Sequence, residues 1–108
     1  MDHDFEKQKR STFQIWSDIS ERNNLDIEKI DLDLHFLPNI NNEKSQELAQ
    51  SLNALGYIVS FYEDDNTLEA KMESIVNSAE EIWYHEERTT KIALVHGYKP
   101  DGWGFFSN

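Results

Sequence analysis

The chain has 108 residues, 21 acidic against 10 basic side chains, a formal charge of −11 and no cysteine. This length predicts one domain with a modest core, and the absence of thiols excludes disulfides, thiolate zinc sites and cysteine nucleophiles. Nine of the eleven excess negative charges follow residue 30, which disfavours direct binding to nucleic acid and suits either a basic partner or solubility. The acidic N-terminus and the lack of a long apolar run predict neither a secretory signal nor a membrane span, so we expect a cytoplasmic protein.

Residues 1–28 predict a helix and a connector, and residues 29–108 are expected to form the domain proper. Over residues 5–22, large apolar side chains recur at roughly helical spacing among polar ones. They are Phe5, Phe13, Trp16 and Ile19. Because Phe13 and Trp16 are large for a leader segment, two interpretations stay open. The helix either packs one stripe on the domain or serves as an arm that binds a partner or is swapped.

Residues 29–37 carry the clearest strand pattern, because apolar and polar side chains alternate. The apolar positions are Ile30, Leu32, Leu34 and Phe36. This alternation predicts a sheet with one buried and one solvated face. Residues 43–55 then predict a helix with a leucine stripe, which ends at Gly56 because a left-handed residue commonly follows a helix.

Two further strands and another helix follow. Residues 57–63 are rich in β-branched and aromatic side chains, and residues 67–74 alternate again. The short polar connection between these strands predicts a hairpin. Residues 78–96 predict a helix, with Asn77 or Ser78 as its N-cap and capping-box spacing in its first turn.

Residues 99–106 combine a turn signal with three large aromatic side chains. Pro100 fixes φ, Asp101 can bond its own backbone and Gly102 accepts a positive φ, so we expect a turn and then a closing strand. From residue 29, the order of elements predicts an α+β, ferredoxin-like (βαββαβ) domain. Its four-stranded antiparallel sheet carries two helices on one face, in addition to the N-terminal helix. Right-handed crossovers place the last strand beside the first.

The sequence contains no pattern that indicates catalysis, a metal or a cofactor. The histidines are scattered, and His85 and His96 lie about three helical turns apart, too far to hold one ion. The chain also lacks a nucleophile elbow, a phosphate-cradling glycine loop and a supported Ser/His/Asp grouping. We therefore expect a protein that is not an enzyme and that needs no cofactor.

Acidic side chains of two predicted strands form the candidate partner-binding face. They are Asp31, Asp33, Glu69 and Glu73. Paired carboxylates can perform acid–base chemistry, but exposed strand acids that keep an outer face wet are far commoner. If the aliphatic side chains point to the helices, these acids face solvent, and Ile58 and Tyr62 can join them. Such a surface suits a basic protein segment, and an ordinary charged surface is the alternative.

A short signature stands near the C-terminus, consisting of Asp101, Gly102, Trp103 and Gly104. It resembles the signature of the ribonuclease E inhibitor RraB family (regulator of ribonuclease activity B), whose members end the domain in a Tyr-Asp-Gly-Trp-Gly-like run. Here Pro100 precedes the aspartate, and the tyrosine is displaced to Tyr98. The phrase Leu55-Gly56-Tyr57 after the first domain helix and the order of elements also agree, over essentially the whole chain from about residue 12.

The resemblance implies a non-catalytic ferredoxin-like domain that binds and inhibits or modulates an endoribonuclease of the ribonuclease E type. A different class, an immunity-type or other interaction protein that neutralises a basic toxin, stays open. The signature also leaves two roles for Trp103, a packing anchor or a contact with the partner, and we expect the packing role.

Overall fold

The computed structural model describes residues 3–23, 27–39 and 44–107. The elements are α1 (Phe5–Asn23), β1 (Lys29–Pro38), α2 (Ser45–Ala54), β2 (Ile58–Tyr62), β3 (Thr67–Val76), α3 (Ala79–Val95) and β4 (Tyr98–Ser107). Each predicted element is present, and its ends shift by at most two residues except at β4, which begins at Tyr98, ahead of the expected turn. The predicted α+β architecture, with a four-stranded antiparallel sheet, is therefore confirmed.

The sheet has the strand order β2-β3-β1-β4, and each pair of neighbours is antiparallel. The predicted hairpin between β2 and β3 is confirmed, and so is the predicted position of the last strand beside the first. The two ten-residue strands β1 and β3 occupy the centre, which leaves β2 and β4 at the edges.

One face of the sheet carries the hydrophobic core. The four apolar positions of β1 are at most 1% exposed, as the alternation predicts, and they pack in one cluster with Leu48 and Leu52 of α2 and with Ile82 and Ala93 of α3. Both helices therefore cover the same face. Truncation of one such leucine to alanine costs about 2–5 kcal/mol, because it removes apolar burial and leaves a cavity.

The helix α1 packs against α3 of its own chain, which is the packed alternative of the two described above. Its buried side chain is Thr12, which is 1% exposed, while Trp16 packs at the border of the core. The indole Nε1 of Trp16 donates to Asn77 Oδ1 over 3.0 Å, and Asn77 Nδ2 donates to the Ile27 carbonyl over 2.9 Å. These bonds hold α1 against the start of β1.

Helix ends follow the capping rules. Of the two candidate N-caps of α3, Ser78 is the cap: its Oγ accepts from the Glu81 N–H over 3.1 Å. Gly56 has a φ of 97° just after α2, as predicted. Of the described helices, none is both long and apolar enough to cross a membrane.

The predicted turn at residues 100–102 is wrong, because these residues belong to β4. The pairs Leu34–Trp103 and Phe36–Pro100 leave one extra residue in β4, so the chain forms a bulge there. Gly102 takes up this bulge with a φ of 101°. Pro100 is tolerated because β4 is an edge strand.

Candidate functional site

The face of the sheet opposite the core is here called the outer face. None of the described helices covers it. The helices α2 and α3 pack on the core side, and α1 packs beside α3, where it contacts Trp103. Strand pairing assigns the residues of the outer face, since directly opposed side chains share a face. The outer face comprises Asp31, Asp33, His35, Ile58, Ser60, Tyr62, Thr67, Glu69, Lys71, Gly104 and Phe106.

The pairing brings three of the four predicted partner-binding acids close together. Asp33 lies opposite Lys71, and Glu69 lies opposite His35 one step further along. Asp31 lies opposite Phe106, and its Oδ1 accepts from the Ser74 N–H over 3.0 Å. This bond closes a second bulge, in which Ser74 has a φ of 56°. Glu73, the fourth acid, is exposed beside that bulge, toward one end of the face.

Asp33 is the exception to the prediction that these acids face solvent. It is only 7% exposed, and no described residue donates a hydrogen bond to its Oδ1. Burial raises the pKa of this carboxyl above its usual range, and the negative charge of Glu69 adds to the effect. The prediction is wrong here because the alternation pattern shows which face a side chain occupies. It does not show how far the surrounding side chains cover it.

The lack of a side chain at Gly104 leaves open space across the strand pair from Asp33, here called the slot. Gly104 is the residue of β4 directly opposite Asp33, and a Cβ placed on it would meet nothing within 4 Å. Phe106, two residues further along the strand, is 60% exposed on the same face. A buried carboxyl group with an unpartnered oxygen therefore shares the outer face with this open position and a large exposed ring.

Other apolar side chains of the outer face are also exposed. Ile58 is 52% and Tyr62 is 48% exposed, although both lie on a sheet face. Tyr62 Oη donates to Glu69 Oε2 over 3.4 Å, and His35 Nδ1 lies 3.7 Å from the same oxygen. Exposed aromatic side chains suit a surface that binds a partner, because aromatic residues are enriched at interfaces, and the acids beside them give that surface a negative charge.

The family-signature residues divide between the two faces of β4. Trp103 points to the core side, where its ring stacks on Phe105 with centroids 6.1 Å apart and its Nε1 donates to Thr12 Oγ1 over 3.3 Å. Trp103 thus has the packing contacts expected of an anchor. Asp101 is exposed in the bulge, and Gly104 forms the slot on the outer face.

A second site, which sequence reasoning missed, lies on the core side between α1, α3 and β4. A cleft of about 440 Å³ is lined there by residues that include Thr12, Ile15, Glu86 and Trp103. Glu86 is only 5% exposed. Its one sequence signal is its spacing, since it lies four residues after Ile82 on the buried stripe of α3.

Glu86 is held by side chains of α1. Thr12 Oγ1 donates to Glu86 Oε1, and Gln8 Nε2 donates to Oε2 over 3.0 Å. Burial raises the pKa of Glu86, although both hydrogen bonds oppose that shift. The Glu86 cluster, defined as Gln8, Thr12, Glu86 and Thr90, is completed by a bond of 3.1 Å from Gln8 Nε2 to Thr90 Oγ1.

A third polar group lies on another side of α3. Here called the His85 cluster, it comprises Tyr57, Glu81, His85 and Arg88. Tyr57 Oη lies 2.7 Å from His85 Nδ1, and the Arg88 guanidinium donates to the same hydroxyl over 3.2 and 3.0 Å. Because both acceptor positions of the hydroxyl are occupied by Arg88, the Tyr57 proton points to Nδ1, and neutral His85 carries its proton on Nε2.

Within the described ranges, no three histidine or acidic side chains are grouped closely enough to hold a metal ion. Comparison with protein-family models and with curated proteins finds no match to this chain. The functional interpretation therefore rests on the residues of the outer face and on the resemblance carried by the signature.

Proposed function

We propose that the protein is a non-catalytic regulator that binds a basic protein partner through its outer face. The observation that carries the proposal is Asp33, a buried carboxyl with an unpartnered oxygen beside the slot over Gly104. A buried acceptor without a donor costs free energy, and a partner that supplies the donor recovers it.

The partner contributes an arginine or lysine side chain to the slot. Its cation pairs with Asp33, and its planar or aliphatic part packs against Phe106, which is exposed two residues along β4. The chain's charge of −11 favours approach of a basic segment. Ile58 and Tyr62 at the far side of the face supply apolar contact around this central pair.

The partner is an endoribonuclease of the ribonuclease E type, and the protein lowers its activity in the cytoplasm. The RraB-like signature supports this assignment, since Gly104 of that signature forms the slot beside Asp33. The strand order β2-β3-β1-β4, with both crossover helices on one face, supports a ferredoxin-like identity of the domain.

The test measures the affinity of the purified protein for a ribonuclease E-type enzyme and the rate of RNA cleavage with and without it. Asp33→Asn removes the charge and keeps the shape. Gly104→Val fills the slot with a side chain that suits a strand. We expect slower cleavage with the wild type, and affinity lowered about tenfold or more by each variant, because a charged pair contributes about 1.5–3 kcal/mol.

Asp64→Asn is the matched control, since it removes the same charge from the exposed β2–β3 turn. It should change affinity less than twofold, which is about 0.4 kcal/mol. Equal binding by the wild type, Asp33→Asn and Gly104→Val would contradict the proposed surface. If the ribonuclease is not bound and a basic toxin nuclease is neutralised in an Asp33-dependent way, the immunity-type function replaces the regulatory one.

A further inference from the structure

The cleft between α1, α3 and β4 is separate from the outer face, because it lies on the core side of β4. Its volume of about 440 Å³ falls within the range of small-molecule sites. Three elements contribute to it: α1 and the two residues before it, α3, and the bulged half of β4. Its walls are mainly apolar and include Ile15, Pro100 and Trp103.

A buried acid lines this apolar cleft. Glu86 is 5% exposed, and it takes part in none of the ion pairs formed by the described residues, which join His35 to Glu69, His85 to Glu81 and Lys91 to Glu87. Burial of a carboxyl group without a cation is unfavourable for its charged form. The fold nevertheless keeps an acid here, on a buried stripe of α3 that also carries Ile82, Thr89, Thr90 and Ala93.

The carboxyl group is fixed in position and still has acceptor capacity. Thr12 and Gln8 each donate one bond, to different oxygens. An ionised carboxylate has about four acceptor positions, so about two stay unused. Gln8 is itself fixed, since its Oε1 lies 2.7 Å from His3 Nε2 and its Nε2 reaches Thr90. The Glu86 carboxyl group is therefore a hydrogen-bond acceptor held in a fixed position, unlike an acid on the exposed surface.

We propose that this cleft binds a small molecule that carries a primary ammonium group on an apolar or aromatic body. The ammonium group donates to Glu86, which gives the carboxylate the ion-pair partner that none of the described residues provides. The body packs against Trp103 and Ile15. His3, Asp4 and Lys7 also line the cleft. Because Asp4 and Lys7 carry opposite charges, Glu86 is the charged group that selects the ligand.

The experiment titrates the full chain with three probes of similar size: phenethylamine, phenethyl alcohol and phenylpropionate. The readout is the set of indole N–H resonances in nitrogen–proton NMR spectra. Trp103 lines the cleft, and Trp16 and Trp83 do not, so the latter two serve as internal controls. We expect phenethylamine to shift the Trp103 resonance selectively, and the alcohol and the acid to bind about tenfold more weakly or not at all.

Glu86→Gln removes the charge in the same shape, and Glu87→Gln removes the neighbouring charge, which pairs with Lys91 outside the cleft. The first variant should weaken phenethylamine binding about tenfold or more, and the second should leave it unchanged. The folded state of each variant is checked by its own spectrum. Equal affinity for phenethylamine and phenylpropionate, unaltered binding to Glu86→Gln, or equal shifts at all three tryptophans would overturn the proposal. These results do not depend on the ribonuclease, so the two proposals succeed or fail separately.

Discussion

His85 and Glu86 are neighbours in α3, yet they belong to different buried clusters. The His85 cluster joins α3 to Tyr57 at the start of β2, and the Glu86 cluster joins it to Thr12 and Gln8 of α1. Burial lowers the pKa of His85 and raises that of Glu86. The same physical cause favours the neutral form of both groups, because a buried charge loses its hydration.

The consequences for stability have opposite signs. A histidine with a lowered pKa destabilises the fold as pH falls below its ordinary value of 6.5, because the unfolded chain then binds the proton more readily. A glutamate with a raised pKa contributes stability below its ordinary value of 4.5 and loses it as pH rises through the folded pKa. The helix α3 thus carries one buried group that destabilises the fold as pH falls, His85, and one that does so as pH rises above 4.5, Glu86.

The largest expected effect comes from Tyr57→Phe, which disrupts the His85 cluster. It removes the donor to His85 Nδ1 and the acceptor for Arg88 together, and we expect the free energy of unfolding to fall by about 2 kcal/mol. Chemical denaturation at pH 7 measures it. Tyr62→Phe, which removes an exposed hydroxyl, is the control and should stay within about 0.5 kcal/mol of the wild type. Equal losses in both variants would contradict a special role for the buried hydroxyl.

The pH dependence of the His85 cluster can be isolated with His85→Asn. Asparagine keeps an acceptor near the Nδ1 position and does not titrate. As pH falls from 7 to 5, wild-type stability should decrease by up to about 1.4 kcal/mol per pH unit, the limit for one proton. The variant should lose this part of the slope. His35→Asn, at a half-buried histidine outside the His85 cluster, should keep it. A slope unchanged by His85→Asn would show that other groups take up the proton.

Glu86→Gln tests the opposite sign. Because burial raises the folded pKa of Glu86, the wild type should lose stability as pH rises above 4.5, and the variant should not show this loss. Denaturant midpoints over this range measure the difference, with Glu87→Gln as the matched control. A variant whose pH profile overlays that of the wild type would mean that Glu86 has the same pKa in both states.

Ser78→Ala gives the smallest effect, at the first turn of the helix that carries both clusters. It removes the N-cap bond to Glu81 at the start of α3 and should cost about 0.5–1 kcal/mol. Because serine does not titrate, the loss should be the same at pH 5 and pH 8, as measured by thermal unfolding at both values. A pH-dependent loss would indicate that the cap supports one cluster more than the other.

Much of the fold followed from local patterns. The alternation of residues 29–37 predicted which side chains of β1 enter the core, and Ser78 and Gly56 marked helix ends. The acids of the outer face were found for the same reason, since strand residues two apart share a face. The error at residues 100–102 arose because a Pro-Asp-Gly run suits a bulge at a sheet edge as well as a turn.

The sequence by itself determined the elements, their order and the two faces of β1 and β3, because hydrophobic periodicity and capping act within a few residues. Only the tertiary structure decided the polar sites. Thr12 and Glu86 are 74 residues apart and meet because α1 packs on α3. Asp33 lies on the outer face of a central strand, yet its side chain is buried, which the alternation does not predict. Burial of a polar group depends on contacts between distant segments, which no local periodicity encodes.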